Sequence, residues 1–334
     1  MGQKERLLTK TSKNNNLMKK NHFALSATVI GCTLMLLSAA CQRTDDIFPT
    51  TQNAFRGLYQ PTSTIVQMRH DVHEEGVEAS IDSLTFFDRW NWSSDRRLAQ
   101  VEFDYTGTYY YSNSPRIDNY YYNSNGRLDS ICYSLGTDGN YLRTYRFAYS
   151  GGLLSRISYP FGQNGARTYT TDFRYRNGEE YPYAIVFTHP LEEFLYNLYH
   201  TDTLVMQWTL EWDNGNLVRA TADSMAWYTT GLSHIEYYYD NHPNPFQGYF
   251  SSDLISRDGF IDNPSCLCRN NLVRRIEYHY NNRNDSTSTT QTDWIYQYYP
   301  NGYPRSVTTT YPTLYWTTFT VKSTFIYDNL WIEE

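Results

Sequence analysis

The residues whose types and spacing could do chemistry are few. They are Cys266-x-Cys268, His70-x-x-His73-Glu74, and the adjacent carboxylates Glu179-Glu180 and Glu192-Glu193. Two thiols at that spacing suit a metal or a redox pair. They also stand where other segments of the chain place Phe147 and Tyr149 or Leu210 and Trp212, alternating onto one strand face, which makes them small core hydrophobes. Alternate residues of one strand bridge poorly, so an oxidising compartment would favour a disulfide to Cys132 instead. His70 and His73 would share a helix face and could hold zinc, but on a strand they point to opposite faces. Asp138-Gly139-Asn140 and Asp258-Gly259 lack the regular oxygen ligands of a calcium loop and read as turns. A glycosidase needs two facing carboxylates, whereas the Glu pairs lie beside turns or in a connection, where a solvated surface is the default. With no Gly-x-Ser-x-Gly, phosphate loop or dinucleotide fingerprint, the sequence specifies no catalytic residue, no metal site and no cofactor.

What remains is aromatic and basic. Arg156, Arg219 and Arg275 each precede the last apolar residue of a recurring segment, which would set them in a row on one sheet face. Cross-strand pairing with Asp and Glu is the ordinary use of such a row, worth ~0.2–1 kcal/mol per pair. Combined with Trp90, Trp92, Trp212, Tyr239 and Phe246, the row could instead form a platform for a glycan or a peptide. Tyr and Trp offer rigid flat area with a polar tip, as sugar and protein recognition require.

The elements that must position these residues come from a repeat. Tyr120-Tyr121-Tyr122-Asn123-Ser124-Asn125-Gly126-Arg127-Leu128-Asp129-Ser130-Ile131 reads as a hairpin, with Asn125-Gly126 as the φ > 0 pair of a tight turn. Variants follow Trp90/Trp92, Phe147/Tyr149, Phe173/Tyr175, Leu210/Trp212, Cys266/Cys268 and Tyr296/Tyr298, with turns at Asp95-Arg96, Gly151-Gly152, Asn177-Gly178, Asn214-Gly215, Asn270-Asn271 and Asn301-Gly302. In the Asn177-Gly178 unit, Ile185 comes later than the pattern predicts. A unit unable to bury its own face must stack on its neighbours, so the repeat predicts one all-β antiparallel meander curled into a barrel or half-barrel. One short helix is expected at 189–199, where Leu191, Phe194, Leu195 and Leu198 share a face and could plug one end. The longest irregular passage, 240–264, is where a binding loop would be sought.

Composition agrees. Of 334 residues, 17% are aromatic, 33 of them Tyr, which favours pleated surfaces over helices. Residues 1–41 hold six basic side chains and one acidic, leaving 22 basic against 34 acidic and a net charge of −12 beyond them. An acidic body without a basic stripe excludes nucleic acid as the expected partner.

Lys19-Lys20, the apolar stretch 23–37 and Ser38-Ala39-Ala40-Cys41 make a signal peptide over residues 1–40, with Met18 as its natural start. The uninterrupted apolar run is shorter than the roughly 20 residues that a membrane-spanning helix needs. Leu37-Ser38-Ala39-Ala40-Cys41 resembles a bacterial lipobox, which implies lipidation of Cys41; Val29-Ile30-Gly31-Cys32 is a rival that would cut the apolar region short. Residues 41–62 form a flexible tether, and 63–330 the repeated-hairpin domain.

The Tyr-x-Tyr…Asn-Gly-Arg-Leu-x-x-Ile units resemble the YD repeats of Rhs-type shells. More closely, with Tyr239-Asp240-Asn241-His242-Pro243-Asn244-Pro245-Phe246 and Cys268-Arg269-Asn270-Asn271-Leu272-Val273, they resemble a family of uncharacterised Bacteroidetes envelope lipoproteins with a porin-like β fold. That resemblance covers about residues 80–330. It implies fold and location, an outer-membrane lipid anchor with cell-surface exposure one outcome, and brings no activity with it. The expected function is a non-enzymatic module binding an extracellular polymer or protein. The alternatives are a periplasmic structural or assembly lipoprotein and a carboxylate-dependent glycan hydrolase. A membrane-spanning barrel is not expected, since no outward apolar band recurs and Trp331-Ile332-Glu333-Glu334 lacks a closing aromatic.

Overall fold

The computed structural model describes residues 61–74, 77–95, 97–104, 116–135, 141–161, 167–190, 203–222, 232–255, 259–281, 286–312 and 317–327. The leader, Cys41, the tether to residue 60, Glu192-Glu193 and Asp138-Gly139-Asn140 lie outside them.

Sixteen antiparallel strands close into a barrel, each paired with its sequence neighbours, and the last paired with the first. They are β1 (Pro61–Glu74), β2 (Val77–Trp92), β3 (Leu98–Asp104), β4 (Arg116–Tyr122), β5 (Leu128–Leu135), β6 (Tyr141–Ser150), β7 (Leu153–Phe161) and β8 (Arg167–Arg174). Then come β9 (Ala184–Pro190), β10 (Thr203–Asp213), β11 (Asn216–Ala222), β12 (Leu232–Pro243), β13 (Asn270–Asn281), β14 (Ser286–Tyr298), β15 (Pro304–Pro312) and β16 (Thr317–Tyr327). The tether's last two expected residues, Pro61 and Thr62, are therefore strand. Of the expected helix, His189 and Pro190 end β9 and the rest lies outside the described residues.

The repeat's Leu-x-x-Ile spacing cannot put both side chains on one face of a regular strand, because faces alternate with period two. A β-bulge resolves it in six of the strand pairs, while β8–β9 shows none. Register slips between Tyr121↔Ser130 and Tyr122↔Leu128, and likewise at Asn91/Trp92, Ala148/Tyr149, Glu211/Trp212, Tyr238/Tyr239 and Gln297/Tyr298. One extra residue on the return strand turns both Leu128 and Ile131 inward, as it does Leu98 with Val101, Leu154 with Ile157 and Leu217 with Ala220, all essentially fully buried. A second device links each unit to the one before. Tyr122 donates to Leu98 O at 2.9 Å, Tyr149 to Leu128 O at 2.8 Å, Tyr175 to Leu154 O at 2.9 Å and Tyr239 to Leu217 O at 2.8 Å.

The turns are of two kinds. Asn214 and Gly215 both have positive φ, giving a two-residue hairpin of the kind the strand twist favours. At Asn123-Ser124-Asn125-Gly126 only Gly126 does (φ 76°), so the expected φ > 0 pair is corrected. Gly126 N–H donates to Asn123 O at 2.9 Å, and Asn123 N–H to Arg127 O at 2.8 Å, a longer turn ending in a left-handed glycine.

The longest irregular passage is not a surface binding loop. Between β12 and β13 the chain turns into the barrel as α1 (Ser252–Ile255), α2 (Gly259–Asp262) and a 3₁₀ turn, Pro264–Leu267. Phe250, Ile255, Phe260, Ile261, Cys266 and Leu267 join the core of the strands. Burying a side chain such as Phe260 is worth about 1.5–3 kcal/mol. Polar bonds fix the insertion: Asp118, fully buried on β4, accepts from Ser252 N–H at 3.0 Å and Ser252 Oγ at 2.8 Å. Tyr120 donates to Phe250 O at 3.0 Å and Tyr237 to Ile261 O at 2.6 Å. This segment plugs the barrel. It also displaces the expected Asn270-Asn271 turn: Asn270 and Asn271 open β13.

Candidate functional site

Contacts with the plug define which strand face is inward, and four of the five aromatics expected on an exposed platform, Trp90, Trp92, Tyr239 and Phe246, are there. Trp90, only 7% exposed, sits 4.6 Å from Tyr249 and 6.0 Å from Phe246 between ring centroids. Phe246 is itself 5.0 Å from Phe325. Trp92 donates its indole N–H to Pro61 O at 2.7 Å, and Tyr239 bonds to Leu217 O and, at 3.2 Å, contacts Cys268 Sγ. As an exposed platform these residues are corrected, because closing the barrel around a plug makes their flat area interior.

The arginine row exists in part. Arg156 on β7 pairs with Asp172 at 2.5 Å on the outer wall, and Arg219 on β11 faces Glu211 and Glu236 in register. Arg275 is not in the row. Counting from the bulge, Arg274 holds the outward place and pairs with Asp293 at 2.6 Å, while Arg275 takes the inward place that Ile157 and Ala220 hold in their units. Arg275 donates to Asp262 O at 2.7 Å and to Glu277 at 2.6 Å, and His279 Nε2 lies 3.2 Å from Glu277. Burial raises the Asp262 carboxyl pKa, and Arg275 opposes that rise.

Cys266 and Cys268 are free thiols and fully buried, as core hydrophobes, although on the 3₁₀ turn and its cap rather than a strand. Cys132 is free too and meets Thr144 Oγ1 at 3.6 Å, so no disulfide joins the cysteines among the described residues. Burial pushes the Cys268 thiol up to about 12. His70 and His73 lie on β1, a strand as expected. Among the described residues no group of three or more His, Cys, Asp or Glu is placed to hold a metal ion.

Among the described residues, two concavities bear on function. The first, about 370 Å³, lies over β12–β14 beside Tyr238, Arg274, Asp293 and Ile295, the last 68% exposed. Beside it Tyr238 and Tyr278 both donate to Glu236 Oε2, at 3.0 and 3.2 Å, and Tyr278 stacks on His234 at 4.3 Å.

The second, about 540 Å³, is built where the repeat departs from its pattern. Between β8 and β9 the short turn is replaced by the longer connection 175–183, which is why Ile185 comes late. The connection is pinned at several points. Tyr183 N–H donates to Arg174 O and Leu210 N–H to Tyr183 O, each at 2.8 Å. Trp212 donates its indole N–H to Pro182 O at 2.7 Å and stacks on Tyr181 at 5.0 Å. A side chain at position 215 would bring its Cβ within 2.9 Å of the Tyr181 hydroxyl, so Gly215 serves this wall as well as its turn. The cleft is lined by Arg176, Glu179, Glu180, Tyr181, Glu211 and Trp212, among others. Arg176 lies over the Tyr183 ring at 5.1 Å and meets Glu179 at 3.5 Å. The Tyr181 phenol pKa is raised by burial first and by Glu180 second, against a smaller opposing effect of Arg269. Glu179-Glu180 was legible in the sequence only as a surface pair. The late Ile185 was the signal that this turn differs.

No protein-family model matches the chain, and no curated protein does. Among solved structures, a porin-like protein from Bacteroides uniformis is similar at 13% identity, covering 80% of this chain and 98% of that one, with a TM-score of 0.46. A porin-like protein from Bacteroides vulgatus is 11% identical over 78% of this chain and 98% of that one, TM-score 0.26. The Photorhabdus luminescens Tc holotoxin pore is 13% identical over 76% of this chain and 11% of that one, TM-score 0.31. The barrel assignment rests on this chain's own strand pairing.

Proposed function

We propose that this chain is a lipid-anchored envelope protein, non-enzymatic, whose filled barrel holds a rigid ligand cleft beside Trp212 and Tyr181. The cleft carries the proposal. It is of the size that small-ligand sites have, its walls are aromatic with a few polar groups, and its backbone is pinned before any ligand arrives. Insertions in a repeat protein often map to its binding face, and this unit carries one. The anchor rests on the lipobox at Cys41. The wall supports it, since a bilayer-facing barrel carries an apolar band about 25 Å tall. Here charged pairs stand outward on strands round the barrel: Arg89 with Glu102, Arg156 with Asp172, and Arg274 with Asp293.

The test is a binding screen of the Cys41→Ser chain against envelope and extracellular glycans and proteins. Capture of a ligand that is lost in Trp212→Ala, with the barrel's melting retained, supports the cleft. Capture that Trp212→Ala leaves intact, or turnover of the captured glycan, overturns it. The exposed Tyr238 and Ile295 beside the first concavity favour a second reading, a protein-assembly surface, which the same screen with Ile295→Asp distinguishes.

A further inference from the structure

We infer that the cleft beside Trp212 takes a cationic group, an alkylammonium or guanidinium such as a lysine or arginine side chain presents. This rests on the reading of that cleft as a binding site.

Three carboxylates, Glu179, Glu180 and Glu211, line the cleft against one arginine, Arg176. Arg176 already shows how such a guest sits. Its guanidinium lies over the face of Tyr183 with the Glu179 carboxylate 3.5 Å away, a cation held between an aromatic face and an acid. That pairing uses Glu179 and leaves Glu180 and Glu211 as the charges a guest would meet. The surrounding charges weaken the field without cancelling it. Arg269 acts on Tyr181 less than Glu180 does, and Arg219, in register with Glu211, is shared with Glu236 on its other side. The Trp212 and Tyr181 rings, stacked and hydrogen-bonded in place, supply an apolar wall for the alkyl stem of the guest. The body around the cleft is acidic, with a net charge of −12 beyond residue 41, which speeds a cation's approach.

A neutral sugar would gain the aromatic wall but bring no charge to meet Glu180 and Glu211. An anionic one would be repelled.

The probes are a lysine tripeptide, the same peptide with its amines acetylated, and a neutral oligosaccharide of similar size, each titrated calorimetrically into the Cys41→Ser chain. The expected result is binding of the tripeptide alone, weakened by added salt. Glu180→Gln and Glu211→Gln should each weaken it about two- to five-fold, the scale of a partly exposed charge pair. Glu102→Gln, on the outer wall and paired with Arg89, should leave it unchanged and serves as the control for general attraction to an acidic protein. Equal weakening by all three variants, or none by the cleft pair, overturns the inference. Binding of the neutral oligosaccharide that Trp212→Ala abolishes overturns the cationic class and leaves the cleft standing. Binding of no probe, together with no capture in the wider screen, overturns both.

Discussion

Replacing Tyr175 by Phe removes one oxygen and tests whether the repeat is held by the bonds that link each unit to the last. The Tyr175 hydroxyl donates to Leu154 O at 2.9 Å from a largely buried position, and burial raises its pKa above the usual phenol range. Phe keeps the ring packing, so the loss is the hydrogen bond plus the cost of a carbonyl left short of a partner. A typical intramolecular bond contributes about 0.5–1.5 kcal/mol net, and a stranded buried group costs about 1–3 kcal/mol. Leu154 is buried but Tyr175 is only partly so, which leaves the bond part-buried, and about 1–2 kcal/mol is expected. For a barrel of this size that is a fall in Tm of about 2–6 °C. Urea unfolding of the Cys41→Ser chain, followed by tryptophan fluorescence, reads it directly. Tyr122→Phe removes the equivalent bond to Leu98 O four strands away. The double variant should lose the sum of the two within about 0.5 kcal/mol. An unchanged midpoint in both single variants would refute the linking role. A loss several times larger would mean that the ring itself had moved.

Other outcomes follow from the plug and the wall. Asp118→Ala strands the Ser252 N–H and hydroxyl in the core and should destabilise by about 2–4 kcal/mol in the same urea assay, whereas Asp172→Ala, on the outer wall, should cost under about 1 kcal/mol. The phenols of Tyr120, Tyr237, Tyr239 and Tyr249 have folded pKa values well above their ordinary 10, chiefly through burial. Their neutral forms stabilise the fold fully below pH 10, and that stabilisation is lost as pH rises beyond it, so phenolate absorbance and unfolding should advance together in alkaline titration. Cys266 and Cys268, fully buried with raised pKa, should resist thiol reagents at pH 8 until urea unfolds the chain; early labelling would mean that the plug leaves the barrel. Arg275→Met should destabilise more than Arg274→Met, since it leaves Glu277 inside the barrel without its cation.

The hairpin repeat was readable because its turns and paired aromatics recur at fixed spacing, and it led correctly to an all-β antiparallel barrel. The bulge was less visible, although Leu128-x-x-Ile131 contained it: an odd spacing between two apolar residues demands an extra residue on the strand. Missing that slip by one position put Arg275 in the outward row in place of Arg274. The plug was hidden for a different reason. Its Phe250, Phe260 and Ile261 follow neither period two nor a long helical period, and such a loop resembles a surface excursion until the barrel around it is known. The aromatics Trp90, Phe246 and Tyr239 looked like a platform for the same reason. Whether a tryptophan packs a core or meets a ligand depends on which side of the sheet is filled, and that is a property of closure. The cleft was marked only by the late Ile185, a broken repeat.

The proposed anchor, lipid at Cys41 and not the barrel wall, has a direct test. Cells expressing the native chain and Cys41→Ser should be fractionated and their membranes washed at alkaline pH. The native chain should stay in the membrane pellet and partition into detergent, while Cys41→Ser is recovered in the aqueous fraction as a folded barrel. Cys41→Ser that remains in the washed membranes would contradict the account, since the wall with its outward Arg156–Asp172 and Arg274–Asp293 pairs would then be embedded itself.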